Sequence, residues 1–295
     1  MKKILLLGKD GQLGWELQRT LSPIAHVVAL GRTDVDLTDG DAIKRVVKGT
    51  KAQIVVNAMA YTAVDKAESE KEVAYACNAK APELMAKICQ ETGAFLLHYS
   101  TDYVFDGQKK TPYEESDAVK PRSVYGASKL AGEEGIRQSG ANHLIMRICW
   151  VYGMRRHNFL KTILRLAGER EDLGIVSDQV GSPTWCRTIA QVSAHVVAAR
   201  LAGGYDGYAQ TLHMSAAEEC SWYDFSRAIV DVYPGEDKEE WALKSSARIK
   251  AITTDAYPLP APRPAYSKLS SALLEKEYGL MIPSWQSQLE MCLGR

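Results

Sequence analysis

Tyr125 and Lys129 stand four residues apart, enclosing Gly126, Ala127 and Ser128. On a helix, positions i and i+4 share a face. A phenol stacked there on an ammonium is an acid–base unit. The cation of Lys129 is expected to stabilise the phenolate and lower the Tyr125 pKa from its usual value of about 10. The tyrosine then exchanges a proton with a carbonyl oxygen near neutral pH. Taken alone, the spacing is matched by any exposed Tyr–Lys pair on a helix. A second hydroxyl favours the chemical reading. Thr101 follows an apolar run at 95–99, at the carboxyl end of an expected strand, where its hydroxyl would hold a substrate oxygen next to the Tyr125 proton.

A glycine pattern supplies the third part. Gly8-Lys9-Asp10-Gly11-Gln12-Leu13-Gly14 follows one apolar run and opens a helical one, the context a dinucleotide loop requires. Glycines permit the tight turn and let backbone N–H groups approach a pyrophosphate, and the helix N-terminus adds partial positive charge. Gly8, Gly11, Gln12 and Leu13 are therefore candidate cofactor contacts. The second apolar run ends at Leu30-Gly31-Arg32. An acidic residue there would select NAD by bonding the ribose 2′-hydroxyl; a guanidinium clamps a 2′-phosphate instead. Arg32 thus predicts NADPH, with NADH as the alternative. Asp36 and Leu37 are placed to touch the adenine, and Ala58 and Ala60 are small enough to let the cofactor lie across the sheet edge. Lys129 is expected to bond the nicotinamide ribose, beside Tyr125.

Positioning these groups requires a parallel sheet. Apolar runs at 4–7, 26–30, 54–56, 95–99 and 143–148 alternate with helical patterns at 14–21, 41–47, 66–92 and 124–138. Pro82 suits a helix start. Strands alternating with helices at this rhythm form βαβ units, and near-continuous apolar strands are buried on both faces. The expectation is a Rossmann-type, doubly wound α/β fold with a smaller, loop-rich C-terminal substrate lobe. Residues 1–150 form the dinucleotide unit, and a helix at 188–202 packs back on it. Residues 151–187 and 205–295 form the lobe, with helices at 158–169, 222–232 and after Trp285, and a short strand at 175–176.

Composition excludes other classes. The chain has 295 residues, 46% hydrophobic and 24% charged, with 36 basic and 36 acidic side chains. A balanced charge offers no steering toward nucleic acid or an anionic membrane. No stretch approaches the length of a membrane span, and the apolar run after Met1-Lys2-Lys3 is too short for a signal peptide. Cys77, Cys89, Cys149, Cys186, Cys220 and Cys292 form no C-x-x-C pair and read as reduced thiols of a cytoplasmic protein. His98 and His213 read as core histidines rather than metal ligands, and Trp185, Trp222, Trp241 and Trp285 as packing residues of the lobe.

Glycine loop, strand-end threonine and Tyr–Lys pair occur in order. With Asn57-Ala58-Met59-Ala60-Tyr61-Thr62-Ala63-Val64-Asp65, His98-Tyr99-Ser100-Thr101-Asp102-Tyr103-Val104-Phe105, Arg147-Ile148-Cys149-Trp150-Val151-Tyr152-Gly153, Asp178-Gln179-Val180-Gly181-Ser182-Pro183-Thr184 and Arg263-Pro264, the chain resembles the extended short-chain dehydrogenase/reductase family over nearly its whole length. The resemblance implies reduction of the C4 ketone of a nucleotide-linked 6-deoxy sugar, with Thr101, Tyr125 and Lys129 catalytic. It further implies that Asp102, Tyr103 and Trp150 shape the sugar pocket, and that Asn158 and Arg263 face the nucleotide diphosphate. Two departures stand out. After Arg263-Pro264, where the family commonly carries Asn-Ser, this chain has Ala265-Tyr266-Ser267. Where some relatives place a metal-bridging glutamate after Pro-Thr, it has Trp185-Cys186-Arg187, so no metal is expected; Glu16 alone cannot form that site. The expected partner is a small nucleotide sugar, and a homodimer is left open.

Three rival readings follow the same residues. A 4,6-dehydratase would carry a glutamate where Tyr103 stands. An epimerase would retain its dinucleotide through the cycle. A non-catalytic regulatory subunit resembling that of methionine adenosyltransferase would have no need of the full Thr101/Tyr125/Lys129 set.

Overall fold

The computed structural model describes residues 2–294; Met1 and Arg295, the outer ends of the two expected units, lie outside the described residues. Strands β1 (Lys3–Leu7), β2 (His26–Leu30), β3 (Ile54–Asn57), β4 (Phe95–Thr101) and β5 (His143–Ile148) alternate with helices α1 (Gln12–Leu21), α2 (Gly40–Thr50), α3 (Val64–Ala67), α4 (Lys71–Tyr75), α5 (Ala81–Thr92) and α6 (Val124–Gln138). The chain then runs through β6 (Val151–Tyr152), α7 (Phe159–Glu169), β7 (Leu173–Val176), β8 (Val180–Gly181) and β9 (Thr184–Trp185). Helix α8 (Cys186–Gly203) and β10 (Ala209–Met214) return to the sheet, and β11 (Cys220–Ser221), α9 (Trp222–Val232), β12 (Ile249–Ile252), α10 (Ala272–Tyr278) and α11 (Trp285–Cys292) complete the chain.

Among the described residues the main sheet has six strands in the order β10-β5-β4-β3-β1-β2, each pair parallel. The strands are apolar on both faces because helices cover both. Leu6 and Leu97 pack under Leu17 and Ile189 of α1 and α8; Leu5 and Leu96 pack under Ile43, Met85 and Ile88 of α2 and α5. Each such side chain contributes roughly 1.5–3 kcal/mol by leaving water. Strand order reverses between β1 and β3, and ligands of open α/β sheets bind at the carboxyl edge of that switch. A separate core of Tyr152, Leu160, Phe225, Trp241 and Trp285 holds the lobe.

The structure departs from the sequence expectations in three places. The span 205–295, assigned wholly to the lobe, supplies the sixth strand: β10 pairs with β5 from Ala209↔His143 to Met214↔Ile148. Its first two residues, Ala209 and Gln210, are exposed, which hid the strand, but Leu212 and Met214 are fully buried and close the open ladder of β5. Helix α10 likewise docks on the sheet core through Leu274. The helical pattern at 66–92 is broken into α4, a π-turn over Ala76–Lys80 and α5. That turn drives Asn78 inward, where Oδ1 accepts the Tyr61 N–H at 2.8 Å and Nδ2 donates to Ser128 Oγ at 3.0 Å. Among the described residues no helix is long and apolar enough to cross a membrane.

Candidate active site

The glycine loop sits at the switch point. Gly8 has φ +105°, and a Cβ there would lie 2.8 Å from the Ala58 carbonyl carbon of the neighbouring strand end. The loop is closed by Gly11 N–H donating to Gly8 O at 3.0 Å. Gly11 heads α1 without any side-chain cap, leaving the leading N–H groups of Gln12 and Leu13 for an anion. The side chains behave otherwise: Leu13 is in the core, and Gln12 Oε1 accepts the Asn158 amide at 2.8 Å. The cradle fits a dinucleotide pyrophosphate. Arg156, which donates to Asp10 O at 2.7 Å, and Arg155, stacked 3.4 Å over the Trp15 ring, bring positive charge over the same loop. Both stand in the basic run Arg155-Arg156-His157-Asn158, whose charge suits a diphosphate but whose placement over residues 10–15 nothing local in the sequence reveals.

Just after β2, Arg32 is exposed and in no ion pair among the described residues. Asp34 does the local work, accepting from Gly31 N–H at 2.8 Å and pairing with Lys9 at 2.6 Å. The expected adenine contacts, Asp36 and Leu37, follow the end of β2. Asp36 is engaged by the Thr38 N–H and hydroxyl, both at 2.8 Å, which hold its carboxyl below the usual range. Leu37 points into the core beneath α2. Ala58 and Ala60 are half-buried at the edge of the sheet.

Thr101 ends β4 with its hydroxyl donating to Asp102 Oδ1 at 3.0 Å and receiving the Tyr103 N–H at 3.2 Å. Helix α6 starts at a Ser123 cap that accepts the Gly126 N–H at 3.1 Å, and it presents Tyr125, Lys129, Glu133 and Arg137 one turn apart. The Tyr125 ring meets Tyr103 edge to face, centroids 5.5 Å apart, with the Thr101 hydroxyl as its hydrogen-bonding neighbour. Thr101 and Tyr125 therefore meet at the carboxyl end of β4, and Lys129 is anchored on the same strand at Tyr99, two residues before Thr101.

Their electrostatics differ from the expectation. Lys129 Nζ donates to the Tyr99 carbonyl at 2.6 Å and meets His98 Nε2 at 3.2 Å. Burial pushes Lys129 down to about 8, against the pull of Glu133. Burial also pushes Tyr125 up to about 12, against the Thr101 hydrogen bond. Desolvation dominates the phenol, with the Asp102 charge adding to it, and the Lys129 cation is engaged by Tyr99 and His98 instead. Burial raises Asp102 to about 6, against its bond from Thr101. Glu133 is wholly buried, and burial alone would raise it; bidentate bonds from Arg147 at 2.9 and 2.7 Å hold it low instead.

Trp150 has φ +43°, a strained backbone for a bulky residue. Its ring lies on Trp222, centroids 3.4 Å apart and planes 4° apart, with Gly181 beneath: a Cβ there would come within 2.5 Å of the indole. Trp222, read from the sequence as lobe packing, is thus the support of a site residue; the two lie too far apart in sequence for any pattern to join them. Arg263 faces Tyr103 and pairs with Asp65 at 2.8 Å. Asn158 caps α7, accepting the Lys161 N–H, and its amide donates to Gly153 O at 2.7 Å as well as to Gln12. Through its amide, Asn158 joins the lobe to the glycine loop. Tyr266 bonds Glu219, and Glu16 pairs with Arg187 at 3.1 Å.

The comparisons with known proteins fit this geometry. The family profile of the RmlD substrate binding domain matches residues 1–295. The dTDP-4-dehydrorhamnose reductase of Burkholderia thailandensis is 43% identical over 298 residues, covering 99% of this chain and 98% of its own. That of Escherichia coli K12 is 41% identical, covering 99% and 97%. The solved dTDP-4-dehydrorhamnose reductase of Bacillus anthracis, in complex with NADP, superposes with a TM-score of 0.87 at 33% identity over 99% of each chain. With its whole length matched by profile, sequence and fold, the chain belongs to the RmlD substrate binding domain family, among the dTDP-4-dehydrorhamnose reductases.

Proposed function

We propose that this chain is an NADPH-dependent oxidoreductase that reduces the C4 ketone of dTDP-4-dehydro-6-deoxy-L-mannose to dTDP-L-rhamnose. The observation that carries the reading is the meeting of Thr101 and Tyr125 at the carboxyl end of β4, with Lys129 anchored at Tyr99 of the same strand, beside a glycine cradle at the switch point. Full-length relatives with that reductase activity in their names, one of them solved with NADP, support it. In this reading the sheet carries the dinucleotide, and the lobe around Trp150 and Trp222 carries the sugar nucleotide.

A bound reduced nicotinamide supplies the hydride. The leading N–H groups of α1 hold its pyrophosphate, and Arg32 holds the 2′-phosphate. Thr101 positions the ketone oxygen. Tyr125 donates its proton to the developing alkoxide. A phenol raised to about 12 is protonated at neutral pH and more acidic than the alcohol formed, so it can serve as the acid of the reduction. Lys129 orients the ribose beneath. Asp102, Tyr103 and Trp150 shape the sugar pocket, and Arg263 meets the nucleotide diphosphate.

The test is NADPH oxidation with the 4-keto-6-deoxy sugar nucleotide. Turnover that requires this substrate is expected. Purification with tightly held NAD⁺ and no net oxidation of NADPH would replace the reductase with an epimerase.

A further inference from the structure

Asn57 and His98 lie opposite each other in the β3–β4 ladder and are buried with Lys129, all within 2% exposure. Asn57 Oδ1 accepts the Met59 N–H at 3.1 Å. Since only the carbonyl oxygen accepts, the amide orientation is set, and Nδ2 is the atom 3.1 Å from His98 Nδ1. Nδ2 donates, so Nδ1 accepts. A neutral imidazole carries one proton, which therefore sits on Nε2, pointing at Lys129 Nζ 3.2 Å away. An ammonium has donors and no acceptor. The Nε2–H is satisfied only when Lys129 is an amine.

We propose that His98, locked in one tautomer by Asn57, is a positioning residue for the reaction: its Nε2–H holds the Lys129 side chain against the Tyr99 carbonyl and lowers its affinity for a proton. The other groups facing the pair do not supply this effect. On α6, Glu133 favours the ammonium, but Arg147 of β5 and Arg137 engage both its oxygens. Tyr125, one turn earlier, remains a neutral phenol. On β5, His143 stands behind His98 with Nδ1 against the Ala141 carbonyl at 2.8 Å. Asp102 is turned toward Thr101. Burial, with Lys129 second, holds His98 itself well below its usual pKa, so it stays neutral and cannot relieve the N–H contact by becoming a cation. The amine and ammonium forms of Lys129 are thereby both kept within reach of working pH. The inference rests on the reading of Lys129 as the lysine of the reductase site.

The test is NMR on the full chain with ¹³C/¹⁵N-labelled lysine and ¹⁵N-labelled histidine, the Lys129 signal being assigned by its loss in Lys129→Met. The expected result is a His98 ring proton on Nε2 and a Lys129 midpoint that rises by about one pH unit in His98→Leu. His98→Gln, whose carboxamide has an oxygen for Asn57 and an N–H for Lys129, should restore the midpoint. The alkaline limb of kcat should move with it. A proton on Nδ1 in the wild type overturns the proposal even if His98→Leu does not fold. So does an unmoved midpoint in His98→Leu, or an equal shift in both variants. The titration needs no turnover, so its failure is distinct from an absence of NADPH oxidation, which would remove the reductase reading alone.

Discussion

Thr101 donates its hydroxyl hydrogen to Asp102 Oδ1 across 3.0 Å while receiving the Tyr103 N–H at 3.2 Å. The strand-end alcohol is thus held from two sides beside the Tyr125 hydroxyl. Thr101→Val leaves the buried carboxylate without this donor and the ketone oxygen unplaced. We expect kcat to fall by about 10²-fold, as for other losses of alignment at a reacting centre, with Thr101→Ser retaining most activity. Equal rates in wild type and Thr101→Val would remove the threonine from the mechanism.

Tyr125→Phe deletes the transferable proton and leaves the ring packed on Tyr103. Loss of a general acid costs about 10²–10⁴-fold in kcat. The NADPH affinity, measured by fluorescence titration, should change little. Near-wild-type turnover would mean that another group protonates the alkoxide.

Lys129 and Asp102 make stability depend on pH in opposite directions. Lys129 is lowered to about 8 from its usual 10.5. Between these values the unfolded chain binds more protons, so the penalty is full below 8 and relieved as pH rises toward 10.5. Asp102 is raised to about 6 from 3.8; its penalty is absent below about 4 and grows as pH rises, reaching its full size above 6. Each amounts to about 3 kcal/mol at neutral pH. Urea melts of wild type and Lys129→Met should diverge between pH 8 and 10.5, the wild type gaining relative to the variant. A pH-independent difference would contradict the shifted lysine.

Arg32→Ala removes the guanidinium at the end of β2. A charge-assisted bond contributes about 1.5–3 kcal/mol, so the KM for NADPH should rise by about 10–100-fold while NADH is used almost as before. If steady-state kinetics show both cofactors weakened alike, Arg32 does not read the 2′-phosphate.

Glu133 and Arg147 form a bidentate pair under α6, with side-chain exposures of 0% and 3%. Removing Arg147 leaves the buried carboxylate with only the half-exposed Arg137 as an ion-pair partner. Arg147→Met should therefore cost about 3–5 kcal/mol in urea unfolding, and Glu133→Leu in the same background should recover part of it. A loss below about 1 kcal/mol would show that water reaches the pair.

Trp222→Leu withdraws the ring beneath Trp150. An aromatic pair contributes about 0.5–1.5 kcal/mol beyond its burial, so the KM for the sugar nucleotide should rise by roughly fivefold with that for NADPH unmoved. Equal effects on both substrates would place the stack outside the sugar pocket.

What the sequence by itself determined lies within short spans of chain. The Gly8–Gly14 loop, the Tyr125–Lys129 spacing and the apolar period of β1 to β5 are legible because turn sterics, the helical repeat and strand burial act over a few residues. The fold class follows from their alternation. What only the tertiary structure decided joins residues distant along the chain. It turned Leu37 into the core, engaged Asn158 with Gln12, brought β10 beside β5, laid Trp150 on Trp222 and set His98 between Asn57 and Lys129. Proton affinities belong to the second group as well. Spacing alone said that Lys129 should lower Tyr125, but desolvation depends on everything that surrounds a group, and that shell is assembled only when the sheet, α6 and the lobe close around it.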